Sequence, residues 1–225
     1  MRILIASSKN WFNLKKDIQN DNEVKLISKK DELSLEFLNK FNPELIFFPH
    51  WNWVVSEEIY SQYKCIVFHT APLPYGRGGS PIQNLILNNF EETPVCALEM
   101  TSELDAGPIY TKKTISLEGS LNEILKRINV VVNEMIEQLV SKLPTPVQQA
   151  GDIHIFKRLK DSDNEVDLND SAINLYNKIR MLDSPDYPKA YIKIGNYKVE
   201  FSNAEMIDNQ VTAKSSFVKI DESQN

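Results

Sequence analysis

A histidine and an aspartate carry most of the chemistry legible in this chain, His69 and Asp105, separated by 105 − 69 = 36 positions. His69 stands near the start of V-F-H-T-A-P-L-P-Y-G-R-G-G-S-P-I-Q-N, residues 67–84, and Asp105 at the centre of S-E-L-D-A-G-P-I-Y, residues 102–110. An imidazole at a strand end, followed by a Pro/Gly-rich loop, is placed for proton transfer near neutral pH. A carboxylate presented by an L-D-x-G-P turn can set the tautomer and charge of that ring. Alone, the histidine reads more readily as structural, and Asp105 as a turn residue before Gly107. Together they point to an enzyme. Gly78-Gly79 lacks the G-x-G-x-x-G spacing and the first-strand position of a dinucleotide site. Three histidines and two scattered cysteines offer no zinc spacing, so no metal is expected.

Buried strands and helices must hold these loops. Residues 2–6, 24–27, 45–49 and 65–69 are short apolar runs between polar turns, and read as buried strands. Residues 31–41 and 56–63 between them carry apolar residues at helical spacing, the second opening on Ser56 with Glu57 and Glu58 in its first turn. Ser80-Pro81 starts a helix through Leu87, with proline at its favoured first position. Residues 95–100 and 109–115 read as two more strands. Residues 120–143 give the longest helix signal, and S-L-N-E forms a capping box with Glu123 at N3. Its apolar stripe most simply faces the core, with a homodimer surface as the second option. Alternation of this kind predicts an α/β doubly wound sheet. The Pro-rich stretch 144–151 reads as a boundary. Beyond it a helix at 171–182 and strands at 190–194, 197–201 and 211–213, with Gly195-Asn196 as a hairpin turn, form a small β-rich appendage. The expected division is 1–143 and 152–225, with fraying after Ile220.

At 225 residues the chain can bury a sizeable core. A net charge of -6 and a pI near 5.2 argue against a nucleic-acid or membrane-surface partner. The opening M-R-I-L-I-A-S-S is too short for a signal-peptide core or a membrane span. Cys65 and Cys96 both sit in apolar runs and are expected buried and reduced, which suits the cytoplasm.

Taken together, the two segments resemble the folate-dependent formyltransferases, a superfamily with glycinamide ribonucleotide, methionyl-tRNA and sugar-nucleotide branches. Its hallmark is N-x-H-P-S-L-L-P, often extended as R-G-x-x-P, with D-x-G downstream. His69 matches the histidine, Leu73-Pro74 the L-P, Arg77-Gly78 the R-G, Pro81-Ile82-Gln83 the P-I-Q, and Asp105-Ala106-Gly107 the D-x-G. The resemblance covers residues 1–143 and implies a Rossmann-like catalytic domain using 10-formyltetrahydrofolate. The loop sequence and the later I-R-M-L-D-S-P-D-Y-P-K-A look closest to the sugar branch of nonulosonic (pseudaminic-type) acid pathways.

The resemblance implies that an amine attacks the formyl carbon, with His69 and Asp105 as catalytic residues. The folate pocket would take in Pro49, His50, Trp51, Trp53, Met100, Glu103 and Leu104. Arg77, Gly78, Gly79 and Ser80 would contact the phosphates of the acceptor or brace the loop; the helix that Ser80 opens also favours an anion at its start. The expected acceptor is a nucleotide-linked amino sugar, such as a UDP-4-amino-4,6-dideoxy sugar, for a surface glycan, and no nucleic acid. Two other readings stay open, methionyl-tRNA-type formylation and a folate- or nucleotide-binding module without turnover. The chain departs from the hallmark at Val67, where the family has asparagine. Valine donates no hydrogen bond, so either Asn52, Thr70, a backbone amide or a water serves the developing oxyanion, or activity is reduced. Loss of one such donor typically costs ~100–1000-fold in rate.

Overall fold

The computed structural model describes residues 1–220; the expected fraying after Ile220 lies outside them. In chain order the elements are β1 (Arg2–Ser7), α1 (Lys16–Asp21), β2 (Glu23–Ile27), α2 (Leu35–Phe41), β3 (Leu45–His50), α3 (Glu57–Tyr60), β4 (Cys65–His69), β5 (Tyr75–Gly78), α4 (Pro81–Leu87), β6 (Glu92–Glu99), β7 (Ile109–Ser116), α5 (Leu121–Ser141), β8 (His154–Phe156), α6 (Ala172–Arg180), β9 (Ala190–Ile194), β10 (Tyr197–Ile207) and β11 (Gln210–Lys219).

Six strands form the central sheet in the order β2-β1-β3-β4-β6-β7. The first four are parallel; β6 runs antiparallel to both β4 and β7. Of the strands read from apolar runs, β1, β3 and β4 are buried on both faces, as a covered parallel sheet requires; β2, expected buried, is the edge strand and leaves Glu23, Lys25 and Leu26 exposed. Ile3 and Ile5 of β1 face a core shared with Leu121, Ile124, Ile128, Val132 and Met135 of α5. Leu4 and Ala6 alternate to the opposite face, against Leu38, Phe41 and Ile59 of α2 and α3. The α5 capping box is present, with Ser120 accepting from Glu123 N and the Glu123 carboxylate accepting from Ser120 N.

The helix expected over 31–41 is shorter. A 3₁₀ turn at Lys30–Glu32 precedes α2, which Ser34 caps through Phe37 N. β5, β8 and α1 have no expected counterpart. β5 and β8 pair only with each other, in parallel, and their few residues carry no apolar period to reveal them. The terminal strands form the antiparallel sheet β11-β10-β9, whose second hairpin is much longer than the sequence suggests. Its two turn residues, Asp208 and Asn209, both have positive φ, the signature of a type I′ turn. Most of β11 is exposed, so no buried face imposed an apolar alternation on it. Phe156, Val166, Ile179, Met181, Leu182 and Ala190 join the core of β1 and α5, and seat the C-terminal elements on the sheet. Among the described residues no helix is long and apolar enough to cross a membrane.

Candidate active site

β4 ends at His69, and its pairing with β3 and β6 leaves the ring at one end of the sheet with only 7% of its surface exposed. The next residues fold back through a cis Leu73–Pro74 peptide into β5, and His69 Nε2 meets Gly76 O at 2.8 Å. A carbonyl only accepts, so Nε2 carries the hydrogen. On the ring's other side, Nδ1 lies 3.4 Å from Asp105 Oδ2. Both of His69's ring nitrogens therefore face acceptors.

Asp105 sits in the turn between β6 and β7 with φ +54°, a left-handed backbone uncommon outside glycine. Its Oδ2 accepts from Gly78 N at 3.0 Å. Gly107 follows because a Cβ there would stand 1.8 Å from Glu99 O. The turn thus presses on β6 as closely as a chain can.

The R-G-G-S loop is engaged from within the molecule. Arg77 is buried, and its guanidinium donates to Gln149 Oε1 from Nε and Nη2 and to Glu103 Oε1 from Nη1. Gly79 N donates to Phe156 O, and a Cβ on Gly79 would lie 2.6 Å from Arg158 Cα. Ser80 Oγ accepts from Leu159 N. Of the two roles open to this loop, the contacts present are those of bracing. Gln149 was not recognised from the sequence, since a glutamine in a proline-rich linker carries no local signal of its partners.

At the end of β3, Pro49 is buried while His50, Trp51 and Trp53 are half-buried. The β3–β4 register pairs Phe48 with Val67, so His50 falls level with His69. Trp51 and Trp53 meet edge to face at 4.9 Å, and Trp51 and Met100 pack on one apolar cluster. Leu104 is 70% exposed and Glu103 is also at the surface. Burial, then the charge of Lys9, pushes the His50 imidazole down to about 4, against a hydrogen bond to Asn52 that acts the other way. His50 Nε2 stands 3.2 Å from Asn52 Oδ1; with the ring neutral, that nitrogen is the donor. Val67 packs against the apolar clusters on both sides of β4. Cys65 and Cys96 are buried and unbridged, and burial raises their thiols to about 12 and about 11.

A sheet of this order, with a buried His–Asp pair at the end of its interior strand β4, fits a group-transfer domain of the formyl transferase class. The chain belongs to the formyl transferase family: residues 2–138 match its family model, and residues 161–219 match the "Methionyl-tRNA formyltransferase, C-terminal domain" model. It is 30% identical over 207 residues to a methionyl-tRNA formyltransferase of Sulfurihydrogenibium, covering 86% of this chain and 65% of that protein. It is 32% identical over 196 residues to that of Thermotoga maritima, covering 81% and 60%. The chain therefore spans somewhat less than two thirds of these relatives. The solved methionyl-tRNA formyltransferase from Clostridium thermocellum superposes with a TM-score of 0.92 and 37% identity, covering 97% of this chain and 99% of that one.

These likenesses overturn two expectations. The nucleotide-linked amino sugar gives way to the methionyl-tRNA alternative, and the exclusion of a nucleic-acid partner fails with it. The reason is physical. Net charge is a property of the whole chain, whereas phosphates are met by a local patch, and Debye screening confines charges to that scale. P-I-Q also occurs in both branches and does not separate them.

Proposed function

We propose that this chain transfers a formyl group from 10-formyltetrahydrofolate to the amine of methionine carried on transfer RNA. The observation that carries this reading is the end-to-end correspondence with the C. thermocellum protein of that name, which extends through the C-terminal elements. Residues 1–143 serve as the catalytic part in this reading and 152–225 as the part that meets the acceptor.

When bound, the folate supplies an acyl carbon open to a neutral amine. The chain holds and polarises it. The half-buried Trp51, Trp53 and Met100 make an apolar wall suited to a flat ring, with backbone groups of 100–104 at its margin. The Nε2–H of His69, which Gly76 O accepts in this structure, is the donor the ring would turn to the oxygen as it gains charge. It is also the proton the ring would pass toward the leaving nitrogen, while Asp105 stays at Nδ1 and balances the imidazole. Asn52 stands in for the asparagine that Val67 replaces. Its Oδ1 pairs with His50, and among the described residues its Nδ2 is left to donate.

A local cationic rim supports a phosphate-bearing acceptor on this acidic chain. Lys157, Arg158 and Lys160 are exposed immediately after β8, the strand that pairs with the catalytic loop. The charges of Lys9 and Arg158 both reach His50.

Incubation with labelled 10-formyltetrahydrofolate and methionyl-tRNA tests the reading directly. Formylmethionyl-tRNA should form, at a rate that falls steeply with added salt. Absence of that product from a folded, folate-binding chain would remove the proposal.

A further inference from the structure

We infer that Gln149, from the segment joining the sheet to the C-terminal elements, is a positioning residue that holds Asp105 against His69, and that Arg77 serves the same clamp. The inference rests on the formyl-transfer reading for its kinetic consequence, though not for its geometry.

Every hydrogen-bonding capacity of the Gln149 amide is used. Oε1 accepts from Arg77 Nε at 3.1 Å and from Arg77 Nη2 at 2.9 Å. Nε2 donates to Asp105 O at 2.8 Å and to Gly107 O at 2.9 Å. The amide has one stable orientation here. Turned over, it would set its N–H groups against a guanidinium and its oxygen against two carbonyls. Arg77 Nη1 reaches Glu103 Oε1 at 2.9 Å, two residues before Asp105.

The contacts close a circuit. Arg77 binds Gln149, Gln149 binds the backbone of Asp105, and the Asp105 carboxylate accepts from Gly78, the chain neighbour of Arg77. Asp105 is thereby held from both its backbone and its side chain in a left-handed conformation uncommon outside glycine. Gln149 is itself fixed by the reciprocal backbone bonds between Val147 and Ile109, at 2.8 and 2.9 Å. The segment between the two family-model matches thus enters the catalytic framework.

Two variants of the full chain separate volume from hydrogen bonding. Gln149→Met fills the same space with no polar contact. Gln149→Glu keeps an acceptor for Arg77 but loses both donors to the Asp105 turn. Each should lower kcat for methionyl-tRNA formylation about 10- to 100-fold, in line with a displacement of about 1 Å in a catalytic group. KM for folate and for transfer RNA should stay within about twofold. Gln148→Ala, at the exposed neighbouring position, should match the native chain.

The ¹H–¹⁵N ring signals of His69 supply a readout independent of turnover. They should move in both Gln149 variants and not in Gln148→Ala. Unmoved His69 signals, or a loss carried by KM alone, would overturn the inference. A native chain inactive on methionyl-tRNA, yet with His69 signals that move in the variants, would sink the functional reading and keep the clamp. Should Gln149→Met fail to fold, Gln149→Glu decides by the same signals.

Discussion

Asp105 reaches His69 because its backbone turns through the left-handed region: with φ at +54°, Oδ2 comes within 3.4 Å of His69 Nδ1 and 3.0 Å of Gly78 N. Asparagine tolerates that backbone about as well as aspartate, and its amide oxygen can still accept from Gly78. Asp105→Asn should therefore melt close to the native chain while formyl transfer falls about 100- to 10,000-fold, the range for losing one member of an acid–base pair. His69→Asn should fall at least as far. Single-turnover formylation beside thermal melting checks both.

Asn52 tests the replacement for the missing asparagine. Its side chain is exposed and pairs only with His50 among the described residues, so Asn52→Ala should leave stability nearly unchanged. The rate should drop about 100- to 1000-fold if its Nδ2 serves the oxyanion. A drop under about threefold would transfer that role to another donor.

His50 makes stability depend on pH. Its ordinary value of 6.5 is pushed down to about 4 in the folded chain, first by burial and then by Lys9. Between those values the unfolded chain binds a proton that the folded chain resists. Stability is therefore full above about pH 6.5, declines as pH falls toward 4, and levels off below it. The loss is on the order of 3 kcal/mol from this group alone. His50→Gln should flatten this slope, as read from urea midpoints measured near pH 7 and near pH 4.5.

Gly107 has no room for a side chain. Its Cβ would stand 1.8 Å from the carbonyl oxygen of Glu99, a residue held in the β4–β6 pairing opposite Ile66. Gly107→Ala should cost about 2–3 kcal/mol through overpacking, a fall in Tm of roughly 4–12 °C. Activity at low temperature should fall as well, because Asp105 lies two residues earlier. Differential scanning calorimetry with an assay at 15–20 °C below the variant's Tm separates the two losses.

Much of this protein was legible in particular residues. β1, β3 and β4 stand where continuous apolar runs stand, because a sheet covered on both faces leaves no polar position to break them. The α5 start follows from S-L-N-E, a local contact closed within four residues. His69 and Asp105 were found as members of two motifs, and the fold brings them together.

Other features depend on partners far along the chain. Gln149 lies 44 positions from Asp105 and 72 from Arg77, and nothing in Q-Q-A-G names either partner. β5 and β8 exist as strands only through each other. Arg77 reads from its type and loop as suited either to a phosphate or to bracing the loop, and its contacts with Gln149 and Glu103 are invisible along the chain. The long hairpin of β10 and β11 is mostly exposed and carries little apolar pattern. Sequence by itself determined the family, most of the sheet and the candidate pair His69 and Asp105, because those rest on local patterning and short motifs. Tertiary structure decided which polar groups are already spoken for, because a hydrogen bond is set by position in space and not by separation along the chain.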